Sequence, residues 1–499
     1  MKLFKKLASF ILAFAMVMAI AMPSVVMAAD NTTYKLTLQN TVKDHTYEVY
    51  QVFSGTLSTK DGKKVLSDLK WGSGVKKGVY TETAKAKADT LTDEIKARAF
   101  AKELVDEKKL SDPTQTVQSA ADKTEIAGLA AGYYLVKDTD NSLKGKNDSY
   151  TAYILQVVGD ATTSVKSEVP SSEKKVKDIN DSTDTGTTGW QDAADWDIGD
   201  EVPFKIEGTL PSNYDEYKTY TLKFHDKEEE GLTFKPGTVK VFIDDVEITD
   251  GFRVVENPKA ENPKDDDTFD VVFDNLKTTS ATKNSVIRVE YKSVLNEKAN
   301  LGKPGNKNTM YMEFSNNPNN EQGGETGKTP EDTVIVFTYK VLVNKVNENG
   351  DKLEGADFKL EKNVNGVWTT IEKVPGTAGD VFEFKGIDDG EYRLTEKRAP
   401  DNYDMLSDPI YFTVIAVHVD GATPFLDKFS GDITSGKVGE MKFTANKENG
   451  TLSTIIQNKP GSSLPETGGM GTTVLYAAGT LMILAAAAFL VMKKKAESK

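Results

Sequence analysis

The 499-residue sequence predicts a mainly β protein: three tandem Ig-like β-sandwich domains, the first with a helical insertion, plus an N-terminal signal helix and a C-terminal transmembrane helix. Three observations predict it. Most of the chain reads as short runs of alternating apolar and polar residues bounded by Gly, Asn, Asp and Pro, the pattern of half-buried antiparallel strands. Two polar stretches without that alternation, 166–189 and 315–332, cut the chain into three pieces, each long enough to bury its own core. One window, 81–110, is rich in Ala, Lys, Glu and Leu and closes on Asp112-Pro113, so it reads as helix. The expected division is 1–28 (signal peptide), 29–167, 168–331 and 332–460 (the three domains) and 461–499 (C-terminal signal).

The two ends are apolar in different ways. Lys2, Lys5 and Lys6 precede an apolar run over 7–21 and the small-residue end Val26-Met27-Ala28-Ala29, the layout of a secretory signal peptide cleaved after Ala28. At the other end, 21 apolar residues (472–492) span roughly 30 Å as a helix, one hydrocarbon core. Lys493, Lys494 and Lys495 follow on the side that the positive-inside rule makes cytoplasmic. Residues 1–28 and 468–499 each carry a net +3, so residues 29–467 carry −20 against the −14 of the whole chain. Such an acidic ectodomain is unsuited to nucleic acid or anionic lipid. There is no cysteine and there are three histidines, so neither disulfides nor zinc chemistry is expected, and no metal or cofactor site is assigned.

Strand parity exposes two unusual groups, because residues two apart share a face. In 333–346 the face of Phe337, Tyr339, Val341 and Val343 ends in Lys345. The face of Tyr392 and Leu394 ends in Glu396, and that of Leu452, Thr454 and Ile456 ends in Asn458. The preceding domain repeats the pattern: Asp226 follows Tyr220, Leu222 and Phe224, and Asn308 precedes Met310, Met312 and Phe314. Parity with Val176 selects Lys174 as its lysine over Lys175, which shares its side with Glu173 and Lys177. Unpaired, such groups cost several kcal/mol each to bury. Together they can react. Desolvation favours the neutral, nucleophilic amine and the protonated acid, and attack on the carboxamide expels ammonia and leaves an isopeptide bond. Lys174–Asn308 and Lys345–Asn458 are the expected cross-links, promoted by Asp226 and Glu396. The reaction happens once per molecule, so the protein is not expected to be a turnover enzyme.

Several of these segments resemble known families. Leu464-Pro465-Glu466-Thr467-Gly468, followed by the apolar helix and lysines, resembles the sorting signal read by sortase in Gram-positive bacteria. The resemblance implies a thioacyl intermediate at Thr467 and release of Gly468 onward. Lys345-Val346-Asn347, 355–360, the run Tyr392 to Pro400 and 456–460 resemble the collagen-adhesin B-type domain, the 392–400 run being similar to the pilin "E-box". Where that family has Gly before the final Tyr, this chain has Asn402, the next best residue for a left-handed turn. From signal to tail the whole chain resembles a sortase-assembled major pilin.

That resemblance implies the structural backbone of a covalent pilus, with sortase, identical head-to-tail subunits and peptidoglycan as partners, minor pilins and host ligands as further candidates, and a secreted, cell-wall-anchored location. The family's linking lysine lies in a Tyr-Pro-Lys motif that this chain lacks. By position Lys166 is the linking lysine, with Lys174 and Lys175 as alternatives. The alternative function is a monomeric peptidoglycan-anchored adhesin that uses the 81–110 insertion as its binding surface. The 132–138 run has Lys137 where the E-box glutamate would stand, so no third cross-link is expected.

Overall fold

The computed structural model describes residues 32–496 apart from 61–62, 141, 166–168, 184–188, 320–324, 373, 375–378, 440 and 462–469. The signal segment, Lys166 and the motif 464–468 lie outside the described residues. Among the described residues the fold is mainly β, with six sheets that pair into three sandwiches.

In the first, Tyr34–Thr41, Asp122–Leu129 and Ala161–Ser164 form a three-stranded sheet. It packs through Leu36, Leu38 and Ile126 onto Tyr47, Val49 and Val136 of a five-stranded sheet built around Thr46–Lys60 and Gly132–Asp138. The expected helical insertion resolves into two helices, Ala84–Thr90 and Glu94–Asp106. The break is chemical: Thr83 caps the first, and Asp93 caps the second by accepting from Lys96 N at 2.9 Å. Ala97, Phe100, Ala101 and Leu104 form one buried helical stripe, of which Phe100, Ala101 and Leu104 pack with Val52, Phe53 and Leu135, so the five-stranded sheet is covered on both faces.

The middle sandwich has two seven-stranded sheets. Ser171–Lys177 pairs with Glu201–Thr209 in one, and Leu222–Glu228 pairs with Asn306–Ser315 in the other. The third has a four-stranded sheet centred on the parallel pair Tyr339–Val346 and Thr451–Gln457, facing a five-stranded sheet with Asp357–Val364 and Gly390–Arg398. The segment expected to be one strand over 333–346 is two. Asp332–Phe337 belongs to the middle sheet, where it pairs with Asn306–Ser315, and Tyr339–Val346 opens the next. Val334 and Val336 pack in the middle core while Ile335, Phe337 and Tyr339 pack in the third, and every residue from Val334 to Tyr339 is buried, so alternation alone does not register the change of sheet.

The middle and third sandwiches are joined closely. Gly302, at φ 74°, lies so near Gly450, at φ 61°, that a Cβ on Gly302 would fall 2.1 Å from Gly450 N; only glycine fits such a backbone approach. Elsewhere between these two sandwiches Lys362 is fully buried between Asp181 and Asp197 of the middle segment and Asp388 of its own, at 2.7, 2.8 and 2.6 Å. Met470–Ala496 is a single helix whose window Thr473–Lys495 has mean hydropathy 2.3 and is not buried against the rest of the protein. An uncovered apolar helix of this length suits a lipid bilayer.

Candidate functional site

The third sandwich brings Lys345, Glu396 and Asn458 together. Lys345 ends the inward face of its strand, and the parallel register sets it opposite Ile456, two residues before Asn458. Glu396 comes from the facing sheet. Lys345 Nζ donates to Asn458 Oδ1 and stands 3.1 Å from Glu396 Oε1, which also accepts from Asn458 Nδ2 at 3.0 Å. Glu396 Oε2 accepts from Leu406 N at 2.8 Å. The loop that supplies this amide turns at Asn402, whose φ is 70°, the left-handed geometry expected at that position. All three side chains are buried, and the Phe358 ring centroid lies 5.5 Å from Lys345 Nζ. Burial pushes the Lys345 amine below the usual lysine range, against the pull of Glu396.

The middle sandwich brings Lys174, Asp226 and Asn308 into one pocket, with a different layout. Lys174 lies in one sheet, and Asp226 and Asn308 in the sheet facing it. Lys174 Nζ donates to Asp226 Oδ2 and, at 2.6 Å, to the Tyr291 hydroxyl. That hydroxyl donates to Asp226 Oδ2 at 2.8 Å and accepts from Asn308 Nδ2 at 2.9 Å. Glu228 Oε1 accepts from Asn308 Nδ2 at 3.3 Å. Phe204, stacked on Tyr291 at 5.4 Å, and Phe269 wall the pocket. Burial lowers the Lys174 amine and raises the Asp226 carboxyl. Glu228 is pushed up to about 8 by burial and by neighbouring Asp226. Lys174, Asp226 and Asn308 are each at most 0% exposed.

Tyr291 and Glu228 were not among the residues expected from sequence. Glu228 was within reach, because the parity that selects Phe224 and Asp226 falls next on Glu228. Tyr291 reads as an ordinary core aromatic, with Val289 and Ser293 on its face. Of the alternatives for the linking lysine, Lys174 is sealed in this pocket, whereas Lys175 is half-buried and pairs with Asp192 at 2.5 Å. In the first sandwich Lys137 pairs with Glu48 at 2.8 Å. His225 is buried among Asp267, Asp270 and Glu313 at 2.7, 3.1 and 3.3 Å.

Buried amine, amide and acid groups inside β-sandwiches, together with an uncovered membrane-length helix, define a β-sandwich protein with a membrane-length tail. Comparison with known proteins narrows this. The family model of the SpaA prealbumin-like fold domain matches residues 339–423, and that of the LPXTG cell wall anchor motif matches 456–499. The chain is 25% identical over 430 residues to the trypsin-resistant surface T6 protein of Streptococcus pyogenes serotype M6, covering 74% of this chain and 75% of that one. Its fold is similar to that of the three-domain T6 backbone pilin of serotype M6 S. pyogenes, with TM-score 0.54 and 19% identity over 88% of this chain and all of that one. The full-length major pilin SpaD of Corynebacterium diphtheriae aligns with TM-score 0.46 and 17% identity over 87% of this chain and 99% of that one. The chain is a cell-wall-anchored surface protein by its LPXTG motif, similar in sequence to a streptococcal surface protein and in fold to a backbone pilin.

Proposed function

We propose that this protein is the backbone subunit of a covalently polymerised pilus. A sortase takes Thr467 as its acyl group and passes it to a lysine of the next subunit, and the last subunit is passed to peptidoglycan. Lys166 is the acceptor we favour: Lys174 is sealed in a core, and Lys175 is held by Asp192. The working division is 29–167, 168–331 and 332–460, with the strand Asp332–Phe337 adding to the middle sandwich.

The observation that carries this reading is where the two lysine–asparagine pairs lie along the chain. Lys174 stands near the entry to the middle sandwich and Asn308 two strands before its exit; Lys345 and Asn458 stand near the entry and exit of the third. Bonds across these pairs would carry tension past residues 175–307 and 346–457 without loading the strands between. A shaft subunit needs such a path, and with no cysteine it cannot draw one from disulfides.

The test is mass spectrometry of cell-wall digests. The expected result is a ladder of polymers with a branched peptide joining Thr467 to Lys166. A branch at another lysine would correct the acceptor, and monomer alone would reject polymerisation. Monomer alone would support the second reading, a monomeric anchored adhesin. One feature favours that reading: an open groove of about 620 Å³ beside the helices of the first sandwich, lined by Trp71, Lys76, Tyr80 and Ser111 among others.

A further inference from the structure

The two clusters solve the same proton problem with different atoms. Joining a lysine to an asparagine requires a proton to leave the amine and another to reach Nδ2, which departs as ammonia. In the third sandwich one atom reaches both nitrogens: Glu396 Oε1 is 3.1 Å from Lys345 Nζ and 3.0 Å from Asn458 Nδ2. In the middle sandwich the acid does not. Asp226 Oδ2 bonds Lys174 and Tyr291, and Asp226 Oδ1 has no hydrogen-bond partner. The atom that reaches both is the Tyr291 hydroxyl, 2.6 Å from Lys174 Nζ and 2.9 Å from Asn308 Nδ2.

We propose that Tyr291 is a catalytic residue of the middle cross-link, its hydroxyl relaying a proton from the attacking amine to the departing amide nitrogen. The proposal rests on the reading that Lys174 and Asn308 join. Asp226 first takes a proton from the Lys174 ammonium. The freed amine attacks Asn308 Cγ; the Nζ–Cγ bond forms and the carbonyl electron pair moves onto Oδ1. Tyr291 gives its proton to Nδ2 and takes one from Nζ. The Oδ1 pair then re-forms the carbonyl, the Cγ–Nδ2 bond breaks and ammonia leaves. One lysine proton has reached the ammonia through the hydroxyl, one stays on Asp226, and the phenol is restored. Glu228, 3.3 Å from Nδ2, orients the amide for this exchange. The phenol is well placed for such work: its ring is clamped among Phe204, Phe234 and Phe269, and the pocket excludes the water that would otherwise carry the proton.

The test follows newly made chains. Full-length precursor is synthesised in a cell-free pulse and chased. The Lys174–Asn308 and Lys345–Asn458 cross-linked peptides are then quantified against time, the second serving as an internal clock. In Tyr291→Phe the ring packing is kept and the hydroxyl is lost. The middle link is expected to form about 10²-fold or more slowly, with the other unchanged. A second measurement places a fluorinated tyrosine at 291, which keeps the hydroxyl and changes its acidity. The middle link's rate is expected to shift with acidity, which a purely structural hydroxyl would not produce. Normal rates in both variants would overturn the relay while leaving the cross-link intact. If Tyr291→Phe fails to fold, an unchanged rate with the fluorinated residue overturns it alone. Absence of the 174–308 peptide from the unaltered protein would instead overturn the cross-link reading, and the relay with it.

Discussion

Replacing Asn458 by alanine removes the electrophile of the third sandwich and leaves Lys345 paired with Glu396. The proposed bond closes a segment of 113 residue steps between Lys345 and Asn458. Loop-closure entropy for a segment that long is about 16 cal/mol/K, so losing the bond costs on the order of 5 kcal/mol at 25 °C. A domain of roughly 130 residues unfolds with an entropy near 0.27 kcal/mol/K, so its melting temperature should fall by about 18 °C. Differential scanning calorimetry of the ectodomain reads that shift, and intact-mass measurement of the same samples reads the bond. The unaltered protein should weigh about 34 Da less than its sequence, one ammonia of about 17 Da per link, and the variant should lack one of those losses. A mass equal to the unmodified sequence, or a variant that keeps its bond deficit, would refute the chemistry. A lost bond with an unchanged melting temperature would refute the entropic account of what the bond does.

Four further outcomes are expected. Lys362→Met leaves Asp181, Asp197 and Asp388 without their shared cation, which should destabilise the middle–third joint by about 3–5 kcal/mol; calorimetry should show the two sandwiches melting as separate transitions, and one unshifted transition would refute this. The same joint should strengthen as pH falls from 8 towards 5. Burial and neighbouring carboxylates raise Asp178 to about 7 and Asp389 to about 6, so the folded state binds protons that the unfolded chain does not. Thermal melts across that range check the sign in unaltered protein. His225 works in the alkaline range. Burial opposes its charge, but Asp267, Asp270 and Glu313 overcome this and raise it to about 10, so its stabilisation is complete below pH 6.5 and lost as pH rises towards 10. His225→Asn should flatten the stability–pH curve between 7 and 10, and an unchanged slope would remove His225 as its cause. Thr467→Ala should leave protein unattached to the wall, read by fractionating cells into wall, membrane and medium; normal wall attachment would show that anchoring uses another residue.

Much of this protein was set out in its linear order. Alternation placed Lys345, Glu396 and Asn458 on inward faces, because a strand's period of two survives whatever sheet it joins. The anchor segment was legible for a similar reason: a helix that meets lipid alone needs no tertiary partner to define it. Packing decided what alternation cannot see. The strand Asp332–Phe337 is covered by the middle core on one face and by the third on the other, so every residue from Val334 to Tyr339 is buried and alternation cannot mark where the sheet changes.

The same limit governs the chemistry of buried lysines. Lys362 follows Phe358 and Leu360 on an inward face just as Lys345 follows Val341 and Val343. The fold sets Lys345 against one acid and one amide, where burial lowers its proton affinity. It sets Lys362 among three carboxylates that raise that affinity despite burial, which fixes it as a cation. The sequence by itself determined which side chains turn inward and that the chain carries a membrane-length helix. Only the tertiary structure decided each buried amine's neighbours, including the Tyr291 hydroxyl, because those come from strands tens to hundreds of residues away and amine reactivity depends on the local field they create.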